Sequence, residues 1–373
     1  YLGFMLPILK VKFDFPYVIY QGLTIYLLIA IGWHGGEELA TLPRETLLGA
    51  VGFMAVGFCT NFVIGILAYV ALSAFTKLRR VDRATVAGYY GSDSAGTFVT
   101  CLGVLATAHV AYEAYMPVML AIMEVPGCLV ALFLVSRLRR RGMDALGNMP
   151  DETGYNPTVR PEVVAAEAHS HDAERELEKE LSLEKTEHDD EANTDRHDDT
   201  PVKPSGIFDP HLLHEVFLNP GLVLLFGGIL IGFVSGLQGK SVTEADDPFF
   251  VHMFQGILCL FLLEMGMTAS RRLRDLRTAG IGYVAFALIA PNVFAMLGIT
   301  VAHVYSMATG THFVLGTYVL FAVLCGAASY IAVPAVQRLA IPEASPTLPL
   351  AASLGLTFSY NVTIGIPVYI EVA

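Results

Sequence analysis

The decapeptide from Gly88 to Thr97, GYYGSDSAGT, sets an ionisable Asp93 among glycines and hydroxyls inside an otherwise apolar run of 28 residues, Val81 to Ala108. A helix in hydrocarbon must keep every backbone N–H and C=O bonded, so such an interruption cannot face lipid. It must be satisfied by protein or line a cavity. Asp93 stands twelve residues into the run, which at ~1.5 Å per residue is roughly 18 Å deep, near the middle of a ~30 Å hydrocarbon layer. A second interruption, AASYIAVP from Ala327 to Pro334, falls at a similar depth within Phe313 to Ile341. Two helices broken at corresponding places point to a secondary transporter.

Composition excludes a soluble domain: of 373 residues 54% are hydrophobic and 16% charged, and the mean hydropathy is +0.55. The net charge of −12 comes from one segment, because residues 142–210 hold 19 Asp or Glu against 6 Arg or Lys. The remainder is nearly neutral, so the acidity does not describe a substrate, and no basic stripe supports a nucleic-acid partner. Cys59, Cys101, Cys128, Cys259 and Cys325 all lie in apolar runs without metal-ligand spacing and read as packing residues.

A window of ~20 apolar residues predicts spans at 1–9 (the tail of a helix), 16–40, 46–75, 81–108, 112–136, 211–238, 248–270, 277–306, 313–341 and 346–372. The expected fold is an all-α polytopic membrane protein of ten transmembrane helices in an inverted 5+5 repeat with two broken crossover helices. The first repeat covers 1–141, an acidic linker 142–210 and the second repeat 211–373. Of the 23 Lys and Arg residues only Arg44 and Lys240 fall opposite the rest. The positive-inside rule then places both termini outside and the insert in the cytoplasm. Gly32 to Leu39 and Gly266 to Leu273, each closing the second span of its half, share Gly, two small residues, two charges and Leu. Within the insert, Asp172 to Asp199 cannot bury enough apolar surface to fold alone. Leu177 and Leu181 mark at most one side of a short charged helix, and the segment reads as a solvated linker or a regulatory docking segment.

The chain resembles the SbtA-type sodium-dependent bicarbonate permeases over nearly its whole length. Four stretches carry the resemblance: GYYGSDSAGT (88–97), Tyr112-Glu113-Ala114-Tyr115 with Met123-Glu124-Val125-Pro126, LLEMGMTASRRLRDL (262–276) and AASYIAVPAVQRLAIPEASPT (327–347). Membership implies a core domain holding the broken helices, a gate domain used for trimerisation, sodium-coupled uptake of bicarbonate, and a PII-like cytosolic regulator. It also implies a multi-pass protein of the plasma membrane, the inner membrane in bacteria. The chain departs from the cyanobacterial branch at the second break. A Ser-rich stretch followed by Asp is replaced by Ala327-Ala328-Ser329-Tyr330, while Asp93 stands where that branch is apolar, as if the carboxylate had moved between the breaks.

A broken helix presents unpaired N–H groups and the positive end of its dipole, which suit a small anion, while its carbonyls and hydroxyls suit sodium. The candidate anion ligands are therefore Gly91, Ser94, Ala95, Gly96 and Thr97, faced by Ser329, Tyr330 and Ile331. The candidate cation ligands are Asp93, Ser94, Thr97, Glu124, Ser329 and Asn361. A buried charge at this depth needs a partner, so Asp93 is the strongest of them. Glu124 is a second cation ligand or a helix-packing hydrogen bonder, and Asn361 and Thr363 either complete the polar cavity or bond between helices. Glu264 is expected to pair with Arg271 or Arg272, and His34 to bond at the interface. An intramembrane aspartyl protease needs two carboxylates on neighbouring spans, and no second Asp lies deep in an apolar run, so the chain does not read as an enzyme. A carrier of another small anion, or a transporter-derived sensor signalling through the insert, remains the alternative.

Overall fold

The computed structural model describes residues 2–157 and 220–373, apart from 12, 14, 42–43, 273–279, 331–332, 335–336 and 338–339. Ile331 and the linker segment with Leu177 and Leu181 lie outside the described residues, as does the Arg272 side chain. The described residues are helical, with no strand among them. In order they form α1 (Leu2–Ile8), α2 (Tyr17–Thr41), α3 (Arg44–Phe75), α4 (Arg80–Tyr90), α5 (Ala95–Thr107) and α6 (Met116–Arg140). Beyond the linker come α7 (Pro220–Gln238), α8 (Lys240–Asp247), a π-helical turn Pro248–His252, α9 (Phe254–Arg272), α10 (Ile281–Thr309) and α11 (Leu315–Gly326). The last stretch begins as α12 (Thr347–Leu350), widens into π-helical segments Ala351–Phe358 and Asn361–Gly365, and ends as α13 (Ile366–Val372).

Five helices among the described residues are long and apolar enough to cross a membrane: Val18–Thr41, Gly49–Phe75, Met116–Arg140, Lys240–Arg271 and Ile281–Thr309. Val223–Gln238 and Leu315–Gly326 are shorter apolar helices. Their outward faces carry Val51, Val63, Val70, Leu230, Ile281 and Ile289, whereas Asn61, Asp93, Thr97, Ser329, Gln337 and Asn361 are buried. A surface of branched aliphatics around an apolar core that encloses these polar groups suits lipid, where exposed apolar area costs nothing and unpaired polar groups are costly.

Small residues set the closest helix contacts. α2 packs along α7, with Gly32 against the Leu225 carbonyl and Gly36 against that of Ile229, while Gly232 lies on the backbone of Trp33. A Cβ at any of these positions would enter the neighbouring backbone, so the pair approaches as closely as it does because the side chains are missing. α1 packs on α9 in the same manner, Gly3 against the Leu263 carbonyl and Gly266 against Gly3 and Phe4. Trp33 is buried and stacks on Phe250 of the π-helical turn at 4.8 Å.

One end of the molecule is tied by charge. Arg139 makes two hydrogen bonds to the Glu343 carboxylate, 2.9 and 2.8 Å, and donates to the Ala340 carbonyl at 2.8 Å. Arg79 pairs with Asp82 and donates to the Leu146 carbonyl, while Asp82 accepts the amide of Ser345 at 2.8 Å. The first part of the charged insert is held here and does not leave as free chain. Asp144 gathers the amides of Leu146, Asn148 and Asn156, and Glu152 accepts those of Met149 and Arg80, capping the first turn of α4. Gly147, at φ +85° and against the Glu343 carbonyl, supplies the left-handed turn that seats this loop. Composition had grouped residues 142–157 with the solvated linker because it counts their charges and does not see these partners.

Candidate functional site

Helix α4 stops at Tyr90 because Gly91 closes its last turn onto the Ala87 carbonyl, 2.8 Å. Ser92 and Asp93 follow outside any helix, and Ser94, in extended conformation (φ −137°, ψ 109°), caps α5 by accepting the Thr97 amide at 3.2 Å. Ser94 is thus the N-cap that restarts the helix, and the polar residues of GYYGSDSAGT are what breaks it. The break is wedged between α3 and α6. A Cβ on Gly91 would lie 2.8 Å from Gly65 Cα, one on Gly127 would meet the Gly88 carbonyl and Ser92, and Ser92 Oγ donates to the Glu124 carbonyl at 2.9 Å.

The second interruption starts where α11 ends. Gly326 is its last residue, Ala327 is extended (φ −86°, ψ 175°), and the Gly326 carbonyl accepts Asn361 Nδ2 at 2.9 Å. That bond satisfies one of the carbonyls a helix leaves unpaired at its C-terminus. The Ser329 amide donates to the Tyr89 carbonyl at 2.8 Å, so the two breaks meet backbone to backbone, and Ser329 Oγ accepts the Val333 amide at 3.4 Å. Tyr330, 7% exposed, packs edge-on to Phe358 and presses its hydroxyl on Gly96, where any Cβ would collide with it.

The structure therefore brings Gly91, Asp93, Ser94, Gly96, Thr97, Ser329 and Tyr330 to one junction, with Ala95 half-buried beside them. It also sorts them. Ser94 Oγ accepts both the amide and the hydroxyl of Thr97, 3.2 and 2.9 Å, which uses its two lone pairs. Asn361 is spent between Gly326 and the Tyr369 hydroxyl, and Thr363 bonds back to Ser359 within its own segment. Asn361 thus bonds between segments, and Thr363 within its own. Asp93 differs: it is 1% exposed and neither carboxylate oxygen has a hydrogen-bond partner. Glu124, half-buried on α6, lies close enough to interact with it electrostatically. Elsewhere, Glu264 accepts the Thr268 hydroxyl, Arg271 donates to the Phe13 carbonyl, and His34 sits 3.4 Å from Glu38.

Reasoning from sequence missed Asn61. It is fully buried on α3, donates from Nδ2 to the Met123 carbonyl at 3.0 Å, and keeps Oδ1 without a partner. The available signal was one amide in the apolar run 46–75. A buried tether was missed as well: Tyr89 donates to Gln337, whose Nε2 donates to the Ser345 carbonyl, and the Tyr90 hydroxyl pairs with Thr357 at 2.6 Å. It fixes α4 to the second half of the chain.

The orphaned acceptors at the first break fit a cation. Among the described residues no cluster of three or more His, Cys, Asp or Glu exists. A family model for the Na+-dependent bicarbonate transporter superfamily matches residues 1–373, the whole chain. No curated protein matches it.

Proposed function

As a member of the Na+-dependent bicarbonate transporter superfamily, the chain is a multi-pass membrane transport protein, and we propose that it couples sodium to uptake of bicarbonate or a related small anion by alternating access. The observation that carries this reading is the junction itself: a buried, unpartnered carboxylate beside the capped start of α5, enclosed by a second interrupted helix. The amides of the first turn of α5, at Ala95 and Gly96, together with Ser329 and Tyr330, form the anion side. Asp93 and Glu124 form the cation side, with Thr97 between. Each charge lowers the cost of bringing the other out of water, which is the physical basis of coupling.

Packing supports ten spans in an inverted repeat. α1 lies on α9 as α7 lies on α2, α3 meets α4 as α10 meets α11, and α4 meets α6 as α11 meets α13. These are the pairs an exchange of halves would interchange. The glycine seams sit where Gly32 to Leu39 and Gly266 to Leu273 read alike. In this reading α1, α2, α7 and α9 are the gate, through which the protein trimerises, and the remaining helices are the moving core. Both termini are external, the charged end is cytoplasmic, and the docked loop 142–157 links the insert, with any PII-like regulator bound there, to the core. An uptake screen of small anions in proteoliposomes, with and without a sodium gradient, tests this. Bicarbonate accumulation driven by sodium supports it, and failure of every anion to accumulate contradicts it.

A further inference from the structure

Three buried acceptor-only oxygens around the first break have no donor, both carboxylate oxygens of Asp93 and Oδ1 of Asn61, and the buried Tyr330 hydroxyl across the loop has no partner either. Contacts on all sides gather them. Asn61 donates to Met123, Ser92 donates to the carbonyl of the adjacent Glu124, and a Cβ on Gly91 would lie 3.2 Å from the Asn61 carbonyl. α3, the 91–94 loop and α6 therefore converge on Asn61, Asp93 and Glu124. The orientation of the Asn61 amide is settled by its own bond, since a flipped amide would set Oδ1 against the Met123 carbonyl, acceptor against acceptor. A proton on Asp93 satisfies at most two of the three oxygens, the one that carries it and one that accepts from it. A cation satisfies all three, and with Ser94 Oγ filled by Thr97 an additional neutral ligand is needed.

Resting on the reading of sodium coupling above, we propose that Asn61 is a cation ligand, its Oδ1 completing with Asp93 a dehydrated site for a monovalent alkali cation. The site lies on the α3 and α6 side of the break, whereas Ser94, Gly96 and Tyr330 make up its other side. The break thereby separates cation from anion by the thickness of one loop. Asn61 then sets how firmly the ion is held without adding charge, as a neutral amide oxygen does in oxygen-ligated sites.

The test is the thermal stability of the full purified chain in detergent, titrated with NaCl against choline chloride at constant ionic strength. Ligand binding to the native state raises the melting temperature in proportion to occupancy. Wild type is expected to be stabilised by sodium, and Asp93→Asn to lose the response. Asn61→Ala should need about tenfold more sodium or greater. Asn61→Asp keeps an acceptor oxygen and loses the donor to Met123, so it should retain the sodium response if Oδ1 binds the ion. A folded Asn61→Asp that loses the response, or an Asn61→Ala that titrates like wild type while Asp93→Asn does not, overturns the role of Asn61 and leaves sodium coupling intact. A wild-type protein indifferent to sodium overturns both.

Discussion

The backbone amide of Ser329 donates a 2.8 Å hydrogen bond to the carbonyl of Tyr89. One residue lies in the second interruption and the other in the last turn of α4, so each break supplies what the other leaves unpaired. Because the carbonyl lies in the last turn of a helix and the donor is a backbone amide, the bond needs no particular side chain. The side chains around it decide how closely the two breaks approach.

Gly96 is the tightest of these. A methyl group there would collide with the Tyr330 hydroxyl, and overpacking of this kind costs about 1–3 kcal/mol. Gly96→Ala should lower the melting temperature and cut transport, and Tyr330→Phe in that background should recover most of the lost stability by removing the colliding oxygen. A double variant no better than Gly96→Ala would show that the contact is not limiting.

Asn361→Ala leaves the Gly326 carbonyl and the Tyr369 hydroxyl without partners in a dry interior. Each unsatisfied group costs about 1–3 kcal/mol. A clear drop in thermal stability is expected, with the sodium response retained in whatever protein folds. An unchanged melting temperature would mean that water or a neighbour replaces both bonds.

Glu343→Gln weakens the paired hydrogen bonds to Arg139 that close the charged end. Hydrogen bonds to ionised groups contribute on the order of 1–3 kcal/mol, so the variant should fold yet release the 142–157 loop. Faster tryptic cleavage at Arg140 and Arg141 is the readout. Equal cleavage rates in the two proteins would show that the Arg79, Arg80 and Glu152 contacts suffice.

Topology is tested by labelling. With the charged end cytoplasmic, an engineered Ser182→Cys in the insert should resist an impermeant thiol reagent applied outside intact cells. It should react once the membrane is opened. Labelling from outside would overturn the proposed orientation.

What was legible in sequence follows from how each feature is encoded. Asp93 and the breaks could be read because lipid forbids unpaired backbone, so Gly91, Ser94 and the small residues of Ala327 to Pro334 announce themselves within apolar runs. The ends of α2 and α3 followed from apolar length to within two residues, whereas α6 starts and ends four residues later than the predicted 112–136, because the helix runs on through Arg137, Arg139 and Arg140. Asn61 could not be found this way, since one amide in a long apolar helix looks the same whether it bonds a neighbouring helix or holds an ion. Only the bond to Met123 and the vacant lone pairs of Oδ1 distinguish the cases. The bonding of Ser94 and Thr97 to each other across one turn was not legible, because that pairing depends on the local cap geometry. The docking of residues 142–157 was invisible because an acidic composition does not tell which backbone amides Asp144 and Glu152 will accept.

The role of Asp93 as cation ligand is tested most directly by uptake of labelled bicarbonate into proteoliposomes under an imposed inward sodium gradient, comparing wild type with Asp93→Asn. A carboxylate buried with both oxygens unpartnered stays ionised only with a cation beside it. Wild type should accumulate bicarbonate, and Asp93→Asn should fold but lose sodium stimulation by about tenfold or more. Tyr330→Asp in that background should return part of it by restoring a carboxylate at the second break. Accumulation by Asp93→Asn with unchanged sodium dependence would contradict the assignment and leave Asp93 a structural residue.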